Sequence, residues 1–102
     1  MTEIIAPEVH YGTYFGARHG LFIQYYEVTS RSAVMVTLCP VGTHTVERTS
    51  PIGGLVVPSS QPTGAPIRRK IHMRYSKPEI DIDRHTTATL WDRRPEFSSD
   101  RP

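Results

Sequence analysis

The sequence predicts an all-β domain, five to seven short strands curled into a small SH3-like or KOW-like barrel or a strongly twisted antiparallel sheet. Three observations point there. Across residues 22–83, apolar and polar side chains alternate with a period of two, the spacing of a strand with one covered face. Nine prolines and seven glycines interrupt the 102 residues too often for long helices. Two neighbouring segments, residues 67–75 and 79–83, carry opposite charges on one set of alternate positions and apolar residues on the other. That is the pattern of a charge-matched hairpin.

Taken in order, residues 1–10 read as a loose opening segment, residues 11–92 as one all-β domain, and residues 93–102 as a polar tail anchored by Phe97. Residues 12–18 predict a bent first strand, because Tyr14 and Phe15 favour strands while Gly12 and Gly16 permit a bulge or a close backbone approach. FIQYYEV and VMVTLC follow on either side of the polar loop TSRSA. If Val28 faces Val34, then Tyr26 faces Val36 on the core side. Glu27 then faces Met35, and Tyr25 faces Thr37, on a mixed side. On this register Tyr25 is the more exposed of the two adjacent tyrosines.

Pro40 kinks the run, VGTHTVE continues it, residues 49–53 turn, and GLVVP forms a short strand closed by Pro58. The polar, Pro/Gly-rich residues 59–66 read as a mobile loop. A turn at Ser76 and Lys77 then sets Arg74 across from Glu79, His72 from Asp81 and Lys70 from Asp83. Met73 falls over Ile80, and Ile71 over Ile82. Arg69 alone breaks the alternation by sharing the apolar face, which predicts an edge position or a functional contact. Residues 86–91 make a last strand. Trp91 is the only tryptophan. It reads as a closing core residue, with Asp92 and Arg93 in the turn behind it, because burying an indole removes a large apolar area from water.

The bulk numbers exclude several functions. The formal charge of +2 is small for a dedicated nucleic-acid binder. One cysteine, Cys39 in the apolar VTLCPV, allows no internal disulfide and reads as an inert buried thiol. No signal-peptide pattern or apolar run of membrane-spanning length is visible, so a soluble, cytoplasmic protein without membrane contact is expected. The five histidines show no metal-ligand spacing. No nucleophile elbow, phosphate loop or dinucleotide fingerprint occurs. No cofactor and no enzymatic activity are expected.

The residues left for contacts are Tyr25, Arg68, Arg69, Arg93 and Arg94. The proposed register neutralises Lys70, His72 and Arg74 but leaves Arg68 and Arg69 unpaired. With Arg93 and Arg94 they would form a basic patch for an acidic partner. Tyrosine and arginine also make protein-docking hot spots, and tyrosines on a sheet can stack nucleobases. Exposed sheet edges would allow self-association.

One further pattern is carried by YGTYFGAR, YYEVTSRSAVMVTLCPVG, GGLVVP, GAPIRRKIH and the ending TATLWDRRPEFSS. Over residues 11–99 the chain resembles a group of small β proteins encoded by bacteriophages and mobile elements, which end in a Trp-Asp-Gly-Lys-Pro-like motif. Arg93 stands where that motif has glycine, and RHGLFIQ stands where the group often has a WGYDQTN-like segment. The resemblance implies a phage or mobile-element accessory protein acting in a bacterial cytoplasm. The expected function is a non-enzymatic interaction module that binds a host or phage macromolecule, with inhibition of a host system as one form of it. Nucleic-acid binding through the basic and aromatic surface is the alternative.

Overall fold

The computed structural model describes residues 4–102. Among them the fold is all-β, with eight strands and no helix. They are β1 (Tyr14–His19), β2 (Phe22–Arg31), β3 (Met35–Ser50), β4 (Gly53–Pro62), β5 (Ile67–Arg74), β6 (Lys77–Asp83), β7 (Thr86–Leu90) and β8 (Glu96–Ser99). That is one strand beyond the expected range, and β3, at 16 residues, is long rather than short.

All pairings are antiparallel, in the order β2-β1-β7-β6-β5-β3-β4-β8. Because β2 also pairs with β3, strands β1, β2, β3, β5, β6 and β7 close on themselves as a barrel. The far half of β3 leaves this ring and pairs with β4, which pairs with β8. The end of β8 returns to the start of β2, where the Ser99 N–H donates to Leu21 O (2.8 Å). The Ser98 hydroxyl accepts from the Ile23 N–H (3.0 Å).

Two small cores result, and β2 separates them. Tyr26 and Val28 point into the barrel with Phe15, Val36, Leu38, Ile71 and Ile80. Ile23 and Tyr25 point the other way, against Val41 and Val56 beneath β4 and β8. Burying both faces of β2 explains why FIQYYEV has so few polar residues. Gly53 and Gly54 permit this second layer. A Cβ at Gly53 would collide with the backbone of Ser98, and one at Gly54 with that of Glu47.

The strands of the first hairpin pair as expected, but not in the expected register. Val28 faces Leu38 and Tyr26 faces Pro40. The strand continues through Arg31 past a bulge at Thr29, and the chain reverses between Ser32 and Met35, where the Ser32 N–H donates to Met35 O (2.8 Å). The second hairpin also slips. Arg74 faces Lys77, Met73 faces Pro78 and Ile71 faces Ile80. Tyr75 and Ser76 both adopt positive φ (52° and 64°), giving a two-residue reversal of the mirror-image type whose twist matches the strands. Asn-Gly is the usual marker of that turn, and Tyr-Ser hides it.

Both slips are by an even number of residues, so the paired side chains keep their expected faces, while Val34, expected opposite Val28 in the core, falls in the reversal before β3 and is exposed. The Arg74–Glu79 pair (3.2 Å) and the His72–Asp81 contact (3.8 Å) therefore still form, as diagonals. Arg74 adds a bidentate grip on Asp81 at 2.7 and 2.9 Å. Met73, with no partner across from it but Pro78, is 45% exposed.

Three segments expected to be irregular are built into the fold. Ala6 and Val9 of the opening segment are buried in the barrel core. Arg31 fastens them, donating to the carbonyls of Ile5, Ala6, Val9 and Ala33 at 2.8–2.9 Å. The strand β4 runs past Pro58 to Pro62, since β3 supplies a partner at Pro58 and again at Pro62. Residues 96–99 of the C-terminal tail form β8, which approaches β4 closely because Gly53 has no side chain to meet the Ser98 backbone.

Ring closure leaves few open edges. Those that remain, on the far half of β3 and the end of β4, carry three register shifts in β3 and prolines at 58 and 62. Bulges and edge prolines are devices that discourage strand-to-strand association.

Candidate functional site

The structure does not gather the expected contact residues into one patch. Tyr25 is fully buried (0% exposed). It lies on the outer side of β2, as alternation requires, but β4 and β8 cover that side. Its hydroxyl donates to Glu96 Oε1 (3.3 Å). Burial first, then the Glu96 charge, pushes its pKa far above the ordinary tyrosine value, so it is a neutral donor in the small core. Arg69 is half-buried and serves the barrel end. Its Nε donates to Ile82 O (3.1 Å) and its Nη1 to Arg68 O (2.9 Å). It does not sit on a sheet edge, because β5 is flanked by β3, where Arg69 pairs with Val36, and by β6.

Arg68, Arg93 and Arg94 are exposed. Arg68 pairs with Thr37 at the start of β5. Arg93 and Arg94 follow β7, whose Thr89 pairs with Glu79 near the β5–β6 turn. The register thus sets Arg68 and Arg69 at one end of the β5–β6 hairpin, and Arg93 and Arg94 at the other.

Trp91 occupies the centre of a different feature. The indole packs on the small core, edge-on to Tyr14 (centroids 6.0 Å apart, 89°) and to Tyr25 (6.3 Å, 71°). Its Nε1–H donates to Arg94 O (2.9 Å). Asp92 Oδ1 accepts from the Arg94 N–H (2.9 Å), and Arg93 between them has φ of 68°. The turn behind the tryptophan is thus tight and specific. Trp91 closes a core, as its apolar area demands, but it is only half-buried.

Three hollows meet at its exposed part. The largest, about 600 Å³, runs between the β5–β6 turn and the segment after β7. Its floor is Pro78, Leu90 and Trp91, and its rim holds Glu8, Ser76, Lys77, Glu79, Thr89 and Asp92. A second, about 350 Å³, lies on the other side of Thr89, Trp91 and Asp92, walled by Arg18, Ile23 and Glu96. The third, about 170 Å³, includes Glu8, His10, Tyr14 and Arg93. All three share Leu90 and Trp91. Concave apolar ground with a few convergent polar groups is the usual form of a binding site.

The backbone around this groove is strained. Non-glycine residues at positive φ are Tyr75, Ser76 and Arg93 beside it, and Ala6 in the opening segment. Tyr75 is 97% exposed. Such conformations persist only where surroundings enforce them, and they concentrate at working sites.

The carboxylates are oriented rather than loose. Glu79 holds Arg74 (3.2 Å). Glu96 accepts from Tyr25 and lies 3.9 Å from Arg18. Glu27, next to the groove, accepts from the Tyr14 hydroxyl (3.2 Å). Burial and the Glu27 charge raise the Tyr14 pKa, so this hydroxyl also stays protonated. Among the described residues no group of three or more His, Cys, Asp and Glu is placed to hold a metal ion. No helix is long and apolar enough to cross a membrane.

The sequence marks Arg93 as a contact residue, but it reads Trp91 as a closed core residue and Asp92 as part of the turn behind it. Glu8, Pro78 and Thr89 are invisible as site residues, because Pro78 and Thr89 meet only through the pairing of β7 with β6, and Glu8 arrives on the opening segment that Arg31 fastens. The one available signal was a tryptophan set among charges at a strand end. No protein-family profile, curated protein or solved structure matches the chain.

Proposed function

We propose that the chain is a non-enzymatic interaction module that docks a protein partner in the groove around Trp91. The observation that carries this reading is the convergence of three hollows on one half-exposed tryptophan. Hot spots of protein interfaces centre on such residues, seated in partly enclosed apolar ground with a polar rim. Three carboxylates around the groove support docking rather than catalysis, since Glu79, Glu96 and Asp92 are already tied to Arg74, Tyr25 and the Arg94 backbone. The resemblance at LWDRRPEFSS is the reason to seek the partner among bacterial host proteins or the proteins of a phage. Of the residues first singled out for contact, Arg93 keeps that role, because it lines the third hollow.

The test uses Thr89, an exposed residue of β7 that lines the two larger hollows. A Thr89→Arg substitution fills the groove and leaves both cores untouched. A partner purified with the wild-type chain is expected to lose the variant, with thermal unfolding of the chain unchanged. A partner held equally by wild type and T89R overturns the reading. If Arg68→Ala and Lys70→Ala instead abolish binding, and affinity for single-stranded RNA falls steeply with salt, the surface in use is the outer face of β5 and the ligand is nucleic acid.

A further inference from the structure

We infer that the segment seated in this groove is basic, with a lysine or arginine side chain lying against Trp91 and its charge between Glu8 and Asp92. The inference rests on the docking reading above and specifies its chemistry.

Charge supports it first. The chain as a whole is formally +2, yet the 600 Å³ hollow is lined by Glu8, Glu79 and Asp92 against Lys77 alone. A groove of opposite sign to the molecule is a local arrangement, not a reflection of composition. Low-dielectric walls focus its field.

Acceptor capacity supports it second. Asp92 gives Oδ1 to the Arg94 N–H, and Glu79 gives Oε1 to Arg74. An ionised carboxylate has room for further donors on both oxygens. These two side chains are thus fixed in place while still able to accept from an ammonium or guanidinium.

Shape supports it third. Pro78, Leu90 and Trp91 give a continuous apolar floor suited to the methylene stem of a long cationic side chain, which buries its stem while its head seeks polar partners. The indole adds cation–π attraction for the head itself. An acidic peptide or a phosphate backbone would meet the same carboxylates as repulsion.

The experiment uses the full chain and its single tryptophan as the reporter. The probes are three blocked hexapeptides alternating glycine with lysine, glutamine or glutamate. The lysine peptide is expected to change Trp91 emission saturably, with affinity that weakens as salt rises. Glu8→Gln and Asp92→Asn together are expected to reduce that affinity about tenfold or more, because each removes a charge-assisted contact. Asparagine keeps an oxygen for the Arg94 N–H, so the turn survives, and an unchanged unfolding temperature confirms it. Equal binding of the glutamine peptide, or tighter binding of the glutamate peptide, overturns the basic-segment inference while leaving the docking groove in place. Lysine-peptide binding that T89R does not reduce also overturns it. Partner capture insensitive to T89R overturns the docking reading itself.

Discussion

Arg31 bears on the fold more heavily than its place in a polar TSRSA stretch suggests. Its two terminal nitrogens donate four part-buried bonds, to the carbonyls of Ile5, Ala6, Val9 and Ala33, all at 2.8–2.9 Å. Its Nε donates a fifth, exposed one to Ser32 O. These bonds fix the opening segment that carries Ala6 and Val9 into the barrel core. Methionine keeps a flexible apolar stem but none of the donors. Each bond is worth about 0.5–1.5 kcal/mol net, so four of them give roughly 2–6 kcal/mol. Bonds that share one guanidinium do not add fully, and about 3 kcal/mol is the expected loss for Arg31→Met. In a domain of this size that lowers the unfolding temperature by roughly 12–24 °C. Lysine retains three donors and should fall between. The assay is thermal and urea unfolding, together with native-state hydrogen exchange at the Val9 amide, which bonds to Ala6 O (3.0 Å). In R31M that amide should exchange faster than the amides of β2 and β3. A loss below about 1 kcal/mol, or unchanged Val9 exchange, would show that apolar burial alone holds the segment and would refute the reasoning.

The remaining predictions concern β8, the β5–β6 turn and acid stability. Gly53→Ala pushes a methyl into the Ser98 backbone and should destabilise the chain by about 2–3 kcal/mol; urea unfolding measures it, and Trp91 emission should shift as β8 lifts from the small core. Replacing Tyr75 and Ser76 by Asn and Gly relieves two positive-φ residues and should stabilise by about 1–2 kcal/mol, read as a raised unfolding temperature. Because Ser76 lines the groove, the same variant should bind the partner more weakly, separating strain kept for binding from strain without use. The Arg74 guanidinium, opposed by a smaller desolvation and helped by the Thr87 hydroxyl, holds the Asp81 carboxylate far below the usual range. A depressed native pKa stabilises above the unfolded value and is lost on acidification. Wild-type stability should therefore fall as pH drops below about 4, and Asp81→Asn should flatten that fall while lowering stability at neutral pH. Asp83 and Asp100 are depressed too, so part of the acid slope should survive.

Side-chain alternation was legible without any coordinates. It assigned Ile71 and Ile80 to the core and His72, Arg74, Glu79 and Asp81 to the outer face, and it made the chain all-β, because these are consequences of a period of two within one strand. Register was not legible. The type of reversal at Tyr75 and Ser76, and the bulge at Thr29, depend on backbone angles that residue identity constrains weakly outside Asn-Gly turns. The fate of Tyr25 was not legible either. Alternation put it correctly on the outer side of β2, but whether that side meets water or β8 depends on Gly53 admitting a strand more than forty residues away in sequence. The groove has the same origin. Trp91 announces itself in the sequence, while Pro78 and Thr89 reach it only when β7 joins β6 to β1, and Glu8 only when Arg31 fastens the opening segment. Local periodicity is written residue by residue, whereas closure is a free-energy minimum over all strand pairings at once, and only the folded chain evaluates it.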